Sequence, residues 1–196
     1  PPDDSRLVNF VAATVWDAED PAKKAEYQQT VAHYEGRFQV EHCPMAPLQP
    51  VDVASPQARA ALALTSVRER MTGECAARVV IGGTLAPYMG RYPGVVEEAV
   101  LMAGAHKPLF VVGGFGGAGG ALAAHLQGQA VPELTQQWHL DHASGIAELA
   151  GALAGTPYAM QLETDVATAL PAGRWDALHN GLSDSDNARL ATTTDV

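Results

Sequence analysis

The chain has 196 residues, 47% of them apolar, 17% charged and 6% aromatic. That is enough for one domain with a two-sided hydrophobic core, and it argues against disorder. A net charge of −10, with twelve Lys and Arg scattered through the chain, argues against a nucleic-acid polymer as partner. A small phosphorylated ligand stays open, because backbone N–H groups hold phosphate without a basic surface.

Two cysteines, Cys43 and Cys75, have no nearby Cys partner. They read as reduced thiols of a cytoplasmic protein, with neither a zinc ribbon nor a redox pair. Pro1-Pro2-Asp3-Asp4 does not resemble a signal peptide. No apolar run approaches the roughly 20 residues needed to cross a bilayer, so no membrane is expected.

In chain order, Leu7 to Trp16 reads as a buried strand. Asp20-Pro21 starts a helix to about Tyr34, and Arg37 to His42 is a short second strand. Prolines 44, 47 and 50 mark an irregular loop. Ser55-Pro56 opens a helix to about Glu74. Arg78 to Gly83 is a strand ending in two glycines. Pro93-Gly94 turns into a helix over about Val95 to Gly104. Pro108 to Gly113 is another strand, and the run Gly113 to Gly120 leads into a helix at Ala121 to Leu126. This alternation predicts an α/β fold, a Rossmann-like parallel sheet with helices on both faces. Residues 1–196 are expected to form a single domain, with its core at about 5–130 and a mostly helical or irregular extension at about 131–196. In that extension Ile146 to Leu153 reads as helix. Ser183 with Asp186 fits the cap of a last short helix.

Gly114, Gly116 and Gly119 fit G-x-G-x-x-G between a strand and a helix. Such glycines admit φ > 0 and close approach of a ligand to the backbone, and the helix start offers an anion site. A nicotinamide-type dinucleotide fingerprint would need an acidic residue at the end of the next strand, and Val131-Pro132-Glu133-Leu134 does not look like one. No Lys follows the glycines, so the loop is not a Walker A motif. A second constellation is Gly90 to Glu98. Arg91 precedes a helix whose first turn holds Glu97 and Glu98, a place the helix dipole favours for carboxylates. An arginine there can also grip phosphate, and a carboxylate can accept from ribose hydroxyls. Loops at the C-terminal ends of neighbouring parallel strands converge on one crevice. The expected ligand-binding set is Gly82, Gly83, Thr84, Arg91, Pro93, Gly94, Glu97, Glu98, Gly114, Phe115, Gly116 and Gly117. Trp138-His139-Leu140-Asp141-His142 packs three possible metal ligands together but lacks a further ligand. It reads as a polar surface loop, and no metal is expected.

The stretches ALTSVRERMTGECAARVVIGG and MGRYPGVVEEAVLMAGAHKPLFVVGGFGGAGGAL resemble the SLOG superfamily, named for the Smf/DprA and LOG proteins. They look in particular like the SLOG domains attached to bacterial antiviral and conflict effectors. The resemblance covers about residues 60–126, and the NGLSDSDNARLA tail shares it. It implies a Rossmann-like fold and a nucleotide-derived ligand such as ADP-ribose or cyclic ADP-ribose. It also implies an attached effector domain or a homo-oligomer as the partner, with no further cofactor required. Pro93 to Glu98 resembles a shortened PGGxGTxxE motif of LOG enzymes, in which an Arg and a Glu cleave nucleoside monophosphates. Arg91 with Glu98 or Glu97 would fill those places, although PGVVEE lacks the GT element. Three readings follow: a ligand sensor first, a nucleotide N-glycosidase second, and a structural or oligomerisation domain third.

Overall fold

The computed structural model of the chain describes residues 7–12, 16–17, 19–33, 38–43 and 52–194. The strands are β1 (Leu7–Ala12), β2 (Phe38–Cys43), β3 (Arg78–Ile81) and β4 (Leu109–Val112). The helices are α1 (Pro21–His33), α2 (Pro56–Glu74), α3 (Gly94–Gly104) and α4 (Gly117–Leu126). Beyond them come α5 (Gln136–His142), α6 (Ile146–Leu153), α7 (Leu162–Ala169) and α8 (Asp184–Thr192), with 3-10 turns at Pro132–Leu134 and Trp175–Leu178.

β1 pairs parallel with β2, Leu7 opposite Phe38, and β3 pairs parallel with β4, Arg78 opposite Leu109. The fold is α/β and Rossmann-like, with the described strands in two two-stranded parallel sheets rather than one wide one. α2 carries the first strand pair. Ala63 and Val67 of α2 form a cluster with Ala12 and Cys43 at the strand ends. Arg70 of α2 bonds Glu41 of β2 and Glu74 of its own helix. Among the described residues α1 buries no side chain.

The main core gathers Val80, Val96, Met102, Leu109 and Leu122 from the second strand pair and its helices. Leu149, Leu153, Leu162 and Val166 of the C-terminal helices join the same cluster. β4 is covered on both faces, because Leu109 and Val111 point one way, Val112 the other, and all three are buried. β3 departs from the expected two-sided burial. Val80 is 2% exposed, but Val79 and Ile81 on the opposite face are 62% and 43% exposed. The apolar run was a correct sign of a strand and a wrong sign of its cover.

The helix ends show local logic. Ser55 Oγ accepts from the Ala58 N–H, and Pro56 occupies the first turn, where no intrahelical donor is needed. The far end of α2 is capped from outside: Lys107 Nζ donates to the carbonyls of Thr72, Gly73 and Cys75. A cation there satisfies orphan carbonyls and meets the negative end of the helix dipole. Ser183 caps α8 through the Asp186 N–H, as its spacing predicted.

Candidate functional site: a glycine crevice beside a buried charge cluster

The two glycine loops meet. The N–H groups of Ala118 and Gly119, at the start of α4, donate to the carbonyls of Gly83 (2.9 Å) and Gly82 (2.7 Å). Gly82 and Gly83 reach this geometry with φ of +57° and +90°, in the left-handed region that glycine enters without steric cost. A Cβ on Gly117 would sit 2.2 Å from the Gly83 carbonyl oxygen, and one on Gly83 would sit 2.5 Å from Val95 Cγ2. The loop after β3, the start of α3 and the loop after β4 therefore lie against one another. The Ala118 and Gly119 amides at the start of α4 are thereby engaged in joining the loops.

Each glycine after β4 has its own reason. Gly113 and Gly114 are needed for space, because a Cβ there would meet the carbonyl oxygens of Ala191 at 2.2 Å and Thr193 at 2.0 Å. Gly117 combines a φ of +59° with its contact to Gly83. Gly116 lies at φ 69°, ψ −152°, with nothing near its absent Cβ. That region is essentially restricted to glycine. Phe115 beside it is 47% exposed. Gly82 and Gly116 have open space where a Cβ would stand, and Gly83, Thr84, Phe115, Gly116 and Gly117 are exposed.

The Arg91 to Glu98 segment is built from charge. Glu97 is fully buried at 0% exposure. Its carboxylate accepts from Thr65 Oγ1 (2.7 Å), Arg68 Nη1 (2.5 Å) and Arg91 Nε (3.3 Å). Glu98, partly exposed, accepts from Arg78 Nη1 and lies 3.8 Å from Arg68 Nε. Arg91 stacks on the rings of Tyr92 and Tyr158 and reaches towards Asp165. Tyr92 is wholly buried, donates its hydroxyl to Asp165 and accepts from the Gln161 N–H. Burial, with the Asp165 contact, pushes its phenol above the ordinary tyrosine range.

Sequence reasoning located Arg91, Glu97 and Glu98 but missed Thr65, Arg68, Arg78, Tyr92 and Asp165. A signal existed for two of them. Thr65 and Arg68 continue the spacing of Ala58 and Ala61, so α2 carries polar groups along its buried face. Arg68 also explains two glycines: a Cβ on Gly90 or Gly94 would meet its guanidinium at 2.7 or 2.9 Å.

The Trp138–His142 segment is helical, as part of α5, and not the expected surface loop. His139 is 1% exposed and packs edge-on against Tyr88 and Trp138. Burial pulls its imidazole below the ordinary histidine range. Among the described residues no group of three or more His, Cys, Asp or Glu is placed to hold a metal, and no helix is long and apolar enough to cross a membrane. A cavity of about 430 Å³ lies at the first strand pair, lined by Val11, Trp16, Lys23 and Tyr27 among others. No glycine-loop residue lines it.

Parallel strands whose C-terminal glycine loops meet, with helices between them, define a Rossmann-like α/β fold. The chain belongs to the SLOG cluster2 family, whose model matches residues 1–190. No curated protein and no solved structure matches it.

Proposed function

We propose that this SLOG domain is a sensor. It binds a nucleotide-derived signal such as ADP-ribose or cyclic ADP-ribose in the crevice between Gly82–Thr84, the start of α3 and Gly114–Gly117. The observation that carries this reading is the joining of the two loops, which leaves Gly116 and Gly82 open and Phe115 exposed at one place. Backbone at Gly116 can approach a phosphate closely, and an exposed aromatic ring offers a stacking face for a base. Glu98, the solvent-accessible member of the acidic pair, accepts from ribose hydroxyls, while Glu97 holds Arg68 and Arg91 in place. In the cell the domain would act in the cytoplasm, reporting to an attached antiviral effector or to a homo-oligomer.

A specific observation favours sensing over N-glycosidic cleavage. A glycosidase needs a carboxylate whose negative charge faces a developing oxocarbenium centre. Here Glu97 is buried and paired with two arginines, and Glu98 is paired with Arg78. Calorimetry with ADP-ribose and cyclic ADP-ribose tests binding, and chromatography after incubation with nucleoside monophosphates tests cleavage. The expected result is saturable binding of at least one of the former and no released base. Base release that is lost in Glu98→Gln would overturn the sensor in favour of the enzyme.

A further inference from the structure

The glycine loop has a wall that is not part of the ligand reading, the end of α8. This helix runs along β4 and is fastened at both ends. Near its start, Asn180 Nδ2 donates to the Leu109 carbonyl at the beginning of β4 (2.8 Å) and to Asn187 Oδ1 (2.8 Å). Asn187 itself is 2% exposed. At its far end, the carbonyls of Ala191 and Thr193 occupy the space where Gly113 and Gly114 lack a Cβ. Neither glycine has a positive φ, so the backbone conformation does not demand glycine at either position. The close approach of α8 does. The Gly113 carbonyl in turn accepts from the Gly116 N–H at 2.9 Å. That bond closes the turn on which the open Gly116 stands. One contiguous set of contacts therefore runs from the end of α8 through Gly113 to the residue most open to a ligand.

We propose that the Ala191–Thr193 segment is a positioning element for the glycine loop, so that its docking on Gly113–Gly114 and occupancy of the crevice at Gly116 favour one another. The proposal rests on the sensor reading for the ligand arm alone; the mechanical link between α8 and the loop is independent of it. Coupling of this kind is reciprocal: a ligand that orders the loop must tighten the docked segment by the same factor by which docking improves ligand affinity. It also assigns a readout, since binding at Gly116 changes the dynamics of the C-terminal segment.

The test is hydrogen exchange read by mass spectrometry on the full chain, with and without saturating ADP-ribose, for wild type and Asn187→Ala. Residues 146–153 of α6 serve as the internal reference. The variant should speed exchange several-fold in both 190–194 and 115–120, leave the reference unchanged, and weaken ADP-ribose at least tenfold. ADP-ribose should slow exchange in 190–194 of the wild type. Faster exchange at 190–194 with wild-type rates at 115–120 overturns the proposal, as does ligand protection confined to 115–120. No change at either segment overturns it too. If the wild type binds no ADP-ribose, the sensor reading loses its support, while the ligand-free comparison still decides the coupling. Should Asn187→Ala not fold, Gly114→Ala makes the same test from the loop side, because its Cβ would stand 2.0 Å from the Thr193 carbonyl oxygen.

Discussion

The glycine loop after β4 and the start of α3 both lie against the Gly82–Gly83 turn, yet the two segments are built by opposite means. The loop works by lacking side chains: α8 needs room at Gly113 and Gly114, Gly83 needs it at Gly117, and Gly116 needs a backbone region closed to other residues. The α3 segment works by closing a set of charges, with Arg68 and Arg91 on one buried carboxylate and Arg78 on its neighbour. In both, most motif residues are engaged in holding the site together. Gly82 and Gly116, which have open space in place of a Cβ, and the partly exposed Glu98 are the places where the proposed ligand would be met.

The largest expected effect tests whether the charge set is closed. Glu97→Ala leaves two arginines without their buried partner and should destabilise the fold by about 3–5 kcal/mol, read as a lowered urea midpoint. A loss below about 1 kcal/mol would show that the cluster is hydrated and not part of the core.

The loop side of the comparison gives a graded series by thermal or urea unfolding. Gly117→Ala combines a left-handed backbone with a steric clash and should cost at least about 2 kcal/mol. Gly116→Ala meets no neighbour and carries strain alone, about 1–3 kcal/mol. Gly116→Val puts a β-branched side chain in the same backbone region, so its ligand affinity must be compared at a temperature where the variant is folded. Gly104→Ala, in α3 with open space and no positive φ, should be neutral or stabilising by up to about 1 kcal/mol. If all three variants behave alike, the separate reasons given for each glycine are wrong.

For the ligand, Glu98→Gln should weaken ADP-ribose by about 1 kcal/mol, the scale of one hydrogen bond, measured at a temperature where the variant is folded, because the change also removes the charged partner of the buried Arg78. A null result in calorimetry would remove Glu98 from the site and leave the loop backbone as the sole contact surface.

The smallest effect concerns pH. His139 is buried neutral, with its pKa held below the ordinary value of about 6.5. Stability is therefore full above that unfolded-state value and is lost as pH falls through the lower folded-state value. His139→Phe keeps a ring against Tyr88 and Trp138 and removes the titration. It should lose less melting temperature between pH 7 and pH 5 than the wild type. Equal losses would place the acid sensitivity elsewhere.

Local features of the chain were legible wherever short-range chemistry decides. Ser55-Pro56 and Ser183 with Asp186 mark helix starts because a cap is made within three residues. Ile146–Leu153 was legible from the spacing of its apolar residues. The Leu7 to Trp16 strand was drawn too long: β1 ends at Ala12, and residues 16 and 17 are helical. Residues 13–15 lie outside the described ones. The α5 segment read as loop because seven residues with three possible ligand side chains carry too little apolar period, and tertiary burial of His139 supplied what periodicity lacked.

By itself the sequence determined the α/β alternation, the placing of glycines at strand ends and the family likeness, since each depends on residues close together in the chain. Only the tertiary structure decided what those residues touch. Thr65 and Arg68 lie 32 and 29 positions from Glu97. Gly114 lies across from Thr193, and Val79 stands on a face of β3 that is left exposed among the described residues. Such pairings are set by which helix packs on which strand, a property of the assembled core that no local window contains.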